Sequence, residues 1–175
     1  LDHSVSRTIR IGGMSRGELL VALQDSGIEL NEYGHVLFAH DKFTTARVVS
    51  RVVTVEVTVE GLGFREGAAF EEICERAAQR GLSLCPLEVG SHLRLQYTDQ
   101  PEGAVGFPQT HHRAPPGSLT VASAPIADDD ETPKGFYLRR IDGVLWLRGY
   151  CAGADNVWNP EDRMVFCRDE AAVPQ

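Results

Sequence analysis

His111-His112-Arg113 stands in a proline-rich stretch and is the most chemically suggestive cluster in the chain. Imidazoles titrate near neutrality and can carry protons, and a guanidinium can hold an anion. Adjacent residues point in different directions, however, and no Ser, Cys or carboxylate stands at a spacing that would pair with these histidines. A solvated loop tip carries the same triplet. A second set, His92, Arg94 and Gln96, recurs with a period of two. On a strand that period puts all three on one face, where Arg139 or Arg148 from a neighbouring hairpin could complete a basic wall for a carboxylate or phosphate. A half-wet sheet produces the same alternation with no ligand at all. Tyr97, Tyr137, Trp146, Tyr150 and Trp158 are available to line a pocket or to fill the core.

Other clusters carry less chemistry. Asp128 to Glu131 offers carboxylate oxygens to a hard cation, but lacks the D-x-[DN]-x-[DN]-G order of a calcium loop and reads as a solvated turn. His35 and His40 lie five apart, which is not the i, i+4 spacing of helical ligands, so no metal is assigned. Cys74, Cys85, Cys151 and Cys167 contain no C-x-x-C pair, which argues against a zinc knuckle or a redox motif. Buried thiols are the expectation, with a Cys151 to Cys167 bridge as the alternative. There is no G-x-x-x-x-G-K-[ST] phosphate loop, and no cofactor is expected.

The elements that must position these residues are legible in the patterning. Arg7 to Ile11 alternates as a short strand. Ser15 followed by Glu18 is capping-box spacing for a helix carrying Leu19, Leu20 and Leu23, and a second helix is predicted over 31–39 to form a hairpin with it. Val53, Val55, Val57 and Val59 alternate with Thr54, Glu56 and Thr58, predicting a strand with one buried and one wet face. A helix follows over 68–80, then an edge strand over 82–87 and another strand over 91–97. Residues 99–117 read as a long loop and 118–124 as a strand. Asp142-Gly143 between two alternating runs predicts a type I′ hairpin, and a last strand lies near 164–167. Strand-turn-strand order without repeated βαβ units predicts an α+β fold, a mainly antiparallel sheet with about three helices packed on one face. The 175 residues fit one domain, with a helical hairpin portion over 1–48 and a sheet portion with one helix over 50–170.

The formal charge of −8 argues against a nucleic-acid partner. No apolar run approaches the roughly 20 residues that span a bilayer, and Leu1 to Arg10 has no signal-peptide core, so a soluble cytoplasmic protein is expected.

The segments IGGMSRGELL, GIELNEYG, LCPLEVGSHLRLQYTDQPEG, PKGFYLRRIDGVLWLRGY and VWNPEDRMVFC resemble those of a group of uncharacterised bacterial proteins, over most of the span from Ile9 to Cys167. The resemblance implies no activity, cofactor or catalytic residue. Function is therefore read from the residues alone. They favour a non-enzymatic binding or interaction module that holds a small anionic molecule or a partner peptide through His92, Arg94, Gln96, Arg113, Arg139 and Arg148. One alternative is a small hydrolase or transferase using His111 or His112. Another is a structural or self-associating protein, a homodimer paired through exposed strand edges or through the aromatic hairpin.

Overall fold

The computed structural model describes residues 3–103 and 114–168. In chain order the elements are β1 (Val5–Ile11), α1 (Arg16–Asp25), β2 (Glu29–Leu30), α2 (Glu32–Ala39), β3 (Ser50–Thr58), β4 (Ala68–Ala69), α3 (Phe70–Gln79), α4 (Val89–Gln96), β5 (Leu119–Val121), β6 (Gly135–Ile141), β7 (Val144–Tyr150), β8 (Val157–Trp158) and β9 (Arg163–Arg168). Seven strands form one sheet in the order β1-β3-β9-β5-β6-β7-β2, and β4 pairs with β8 in a separate ribbon. Because β1 and β2 are the two edges of the sheet, the first 48 residues are part of it and not a separate helical portion.

The sheet is mixed, where a mainly antiparallel one is expected from the sequence. Four neighbouring pairs are antiparallel, but β5 runs parallel to β9 and β2 parallel to β7. Those two pairings join strands far apart in the chain, which no hairpin connects and no local pattern announces. Among the described residues four α-helices form instead of about three, and they cover both faces. Leu19 and Leu23 of α1, Leu37 and Phe38 of α2, and Val89 and Leu93 of α4 share a core with Phe136, Leu138, Leu147 and Val165. Ile73 and Ala77 of α3 share the other core with Val55, Val57, Met164 and Phe166. Successive strand residues point to opposite faces, so Val165 and Phe166 separate an inner layer (α1, α2, α4) from an outer one (α3 and the β4-β8 ribbon).

The added helix is α4, whose residues read as a strand in sequence. Val89 through Arg94 are all buried. In a short helix buried on all sides over Val89 to Arg94, polar and apolar residues do not mark faces, so the period-two pattern is coincidental. The expected edge strand over 82–87 shrinks to one bridge between Ser83 and Cys167. The polar side of β3 is also not wet: Thr54 and Glu56 are buried beneath the inner layer, where Glu56 is gripped by Arg7 at 2.7 Å and Arg163 at 2.8 Å.

Local expectations are met where short-range hydrogen bonds decide. The Ser15 hydroxyl accepts from Glu18 N at 3.1 Å while the Glu18 carboxylate accepts from Ser15 N at 3.2 Å, starting α1. Asn31 caps α2 by accepting from Gly34 N at 2.8 Å, and the same side chain exchanges hydrogen bonds with Gly149 of β7 at 2.8 and 2.9 Å. A Cβ at Gly149 would lie 2.6 Å from the Tyr33 backbone, so this glycine allows α2 to dock on the strand. Asp142 and Gly143 have φ of 50° and 78°, the two positive values of a type I′ turn, and the Glu102 carboxylate accepts from both of their amides.

Candidate functional site

The residues expected to form a basic wall do not meet. His92, Arg94 and Gln96 lie on α4 in the inner layer. Leu138 and Leu147 face that layer, so the intervening strand positions Arg139 and Arg148 face the outer one. The sheet stands between the two groups.

Each α4 residue is engaged by the fold. Gln96 accepts from Arg10 N at 2.9 Å and donates to Arg10 O at 2.7 Å, occupying the outward hydrogen-bonding groups of edge strand β1 as a neighbouring strand would. One turn earlier, His92 Nε2 accepts from Gly12 N at 3.2 Å. Burial lowers the His92 pKa from its ordinary 6.5, outweighing the Glu88 carboxylate 3.3 Å away, which favours the charged ring. Glu88 itself accepts from Ala46 N at 3.0 Å.

Arg94 is fully buried. Its Nη1 donates to Gln100 Oε1 at 2.5 Å and its Nη2 to the Tyr97 carbonyl at the C-terminus of α4. Gln100 passes the connection on to Gly117 O and Leu138 O, both at 3.1 Å. Among the described residues no carboxylate forms an ion pair with Arg94, and the negative end of the helix stands in for one. Burial lowers its pKa to about 10, so it stays charged at neutral pH. On the outer side, Arg148 Nε donates to the Tyr137 hydroxyl at 2.8 Å and its guanidinium lies 4.9 Å from the Trp146 ring centre. Arg139 lies beside Gly103. His111, His112 and Arg113 lie outside the described residues.

A different concavity opens on the outer layer, a cleft of about 790 Å³. Thr120, Tyr137 and Tyr150 rise from the sheet as its floor, Trp158 of β8 closes one side, and Asp130, Cys151, Asp155 and Asn156 come from the surrounding loops. Tyr137 and Tyr150 have ring centres 6.4 Å apart, and Trp158 meets Tyr150 edge-on at 5.7 Å and 89°. The three make a continuous aromatic row. Burial raises the Tyr150 pKa, which keeps its hydroxyl protonated. Among the described residues the side chains of Tyr150, Asp130, Asp155 and Asn156 make no hydrogen bond, so the cleft presents unused donors and acceptors above aromatic faces.

The three aromatic residues are legible in sequence as possible pocket lining. The loop residues are not. Asp130 reads as part of a solvated acidic turn, and the signal for Asp155 and Asn156 is only a turn-rich run after an aromatic strand. One carboxylate of that acidic turn is spent locally: Asp129 accepts from Glu131 N at 3.0 Å, from the Thr132 hydroxyl at 3.0 Å and from Thr132 N. The Thr132 amide, more than any other group, holds the Asp129 carboxyl below its usual range. Among the described residues no group of three or more acidic, His or Cys side chains is placed to hold a metal ion. None of the described helices is long and apolar enough to cross a membrane.

Compared with protein-family models, curated proteins and solved structures, the chain gives no match.

Proposed function

We propose that the protein is a non-enzymatic binding module that holds a small polar molecule with a flat ring face in the outer cleft. The row of Tyr137, Tyr150 and Trp158 beside polar side chains that have no hydrogen-bond partner among the described residues supports this reading most directly. Aromatic faces take the apolar side of a ring, while hydroxyl, amide and carboxylate groups fix its orientation. The rim also favours a ligand class different from the anion suggested by the sequence. Asp130 and Asp155 repel a carboxylate or phosphate and accept hydrogen bonds from hydroxyl or ammonium groups, while Arg148 is engaged with Tyr137 and Trp146. The ligand class proposed is a sugar-like polyol or a ring-bearing amine. Self-association through strand edges has less support, because Gln96 occupies both outward groups of Arg10 on β1.

A thermal-shift panel of saccharides, cyclic amines, carboxylates and sugar phosphates tests the proposal. A ligand at a hundred times its dissociation constant stabilises the folded state by about 2.7 kcal/mol, several degrees in Tm for a domain of this size. The expected result is a shift with polyols or amines that disappears in Asn156→Ala and Tyr137→Ala. A shift confined to anions and unchanged in both variants would place the ligand elsewhere. Turnover of a bound molecule that is lost in His111→Asn or His112→Asn would favour the hydrolase or transferase reading.

A further inference from the structure

Two cysteines far apart in the chain meet on the inner side of the sheet. Cys85 and Cys167 are both buried, and their Sγ atoms are 3.0 Å apart, inside van der Waals contact for two sulfurs. Both backbones are held in place. Ser83 N donates to Cys167 O at 2.8 Å, Cys167 N donates to Ser83 O at 2.9 Å, and Cys85 N donates to Ala122 O at 2.7 Å. The 83–85 segment carries the chain from α3 in the outer layer to α4 in the inner one, passing beside β9 where β5 ends. The bridge considered from the sequence, Cys151 with Cys167, has a different geometry: Cys151 is exposed at the outer cleft, whereas Cys167 belongs to the inner core.

We propose that Cys85 and Cys167 are a dithiol pair that a small-molecule disulfide converts to an intramolecular disulfide, stapling the layer crossover to β9. The exchange balances without any other reactant. One protein thiolate attacks the small disulfide, forming a mixed disulfide and releasing one small thiol. The second protein thiolate then attacks the protein sulfur of that mixed disulfide and expels the other small thiol. Two protein thiols are oxidised, one small disulfide is reduced, and the two protons end on the leaving thiols. Burial raises the Cys85 pKa well above the usual thiol range and shields the pair from reagents, so the exchange proceeds through local opening and is faster when mild denaturant loosens the segment. Once formed, the bridge closes a long loop, the arrangement in which a cross-link most restricts the unfolded chain.

The full chain is incubated with oxidised glutathione in subdenaturing urea, returned to buffer, alkylated, and digested without reductant for peptide mass mapping. The expected product is a Cys85-Cys167 linked peptide pair about 2 Da lighter than the two free peptides, and a Tm on the order of 10 °C above that of the reduced protein, reversed by dithiothreitol. Cys151, exposed, serves as the internal control by forming a mixed disulfide with glutathione. Recovery of Cys85 and Cys167 as alkylated thiols while Cys151 is modified overturns the proposal. So does a Cys167 linked to Cys74 or Cys151. A linked pair with unchanged Tm overturns the staple. Cys85→Ser provides the second reading: the oxidant-dependent Tm rise is absent in it, and a rise that persists would contradict the assignment.

Discussion

The two sides of the sheet use polar side chains in opposite ways. On the inner side, His92 and Arg94 are buried and Gln96 lies exposed along the edge of β1, and their hydrogen bonds run to Gly12, Gln100, Tyr97 and Arg10. On the outer side, Asp130, Asp155, Asn156 and the Tyr150 hydroxyl sit around a cleft without hydrogen-bond partners among the described residues. Both sets are chemically capable residues. The difference is that the inner set is consumed by closing a strand edge and joining loops, whereas the outer set remains available. Residue type alone does not distinguish a binding group from a structural one; the state of its hydrogen bonds does.

That comparison breaks most visibly at Arg94. If its guanidinium is the junction between α4, Gln100 and the β6 backbone, Arg94→Met leaves buried acceptors unmet and should lower the unfolding free energy by about 3 kcal/mol in urea titrations. A variant as stable as the parent would remove the structural assignment. The next largest effect is expected at the hairpin turn. Gly143 has a φ of 78° and no atom within 4 Å of a built Cβ, so Gly143→Val suffers from backbone conformation and not from collision. A loss of about 1–2 kcal/mol is expected, and an unchanged Tm would show that Asp142-Gly143 does not set the register.

A pH dependence sharpens the inner half of the comparison. The His92 pKa is lower in the folded state than its ordinary 6.5, so as pH falls below that value the unfolded chain takes up the proton first. The contribution of His92 to stability is therefore complete above about pH 6.5 and declines as pH drops below it. In His92→Gln, stability measured from pH 7.5 to 5 should fall less steeply; an identical slope would exclude the histidine as its source. The smallest stability effect is expected in the outer cleft. Asp155→Asn and Asn156→Ala should each change the unfolding free energy by no more than about 0.5 kcal/mol, since these side chains make no hydrogen bond among the described residues. Losses of several times that size would mean that the cleft residues are structural as well.

How much of this could be read from the chain follows the range of the interactions. The Ser15-Glu18 box, the Asp142-Gly143 turn and the strand over β3 are decided by residues a few positions apart and stand as read, whereas the wet face expected of β3 does not, because Thr54 and Glu56 are buried by contacts from distant residues. The identity of α4 is hidden, because the helix is short and every residue from Val89 to Arg94 is buried, so periodicity does not separate helix from strand. A strand over these residues puts His92, Arg94 and Gln96 on one sheet face as a basic wall, whereas the helix sends them to Gly12, Gln100 and Arg10. The parallel pairings of β5 with β9 and β2 with β7 depend on contacts across the chain, which local pattern does not encode. The cleft was half visible: Tyr137, Tyr150 and Trp158 stand out as aromatic residues, but their convergence with Asp130, Asp155 and Asn156 follows from topology.

The division of labour between the two sides is tested most directly by calorimetric titration of the best ligand from the panel against Asn156→Ala, Tyr137→Ala and Gln96→Ala. Removal of an outer polar or aromatic contact worth about 1.4 kcal/mol weakens binding tenfold. The account expects at least that loss in the two cleft variants and less than a twofold change in Gln96→Ala. Tenfold weakening in Gln96→Ala, with Asn156→Ala and Tyr137→Ala binding as the parent does, would contradict it.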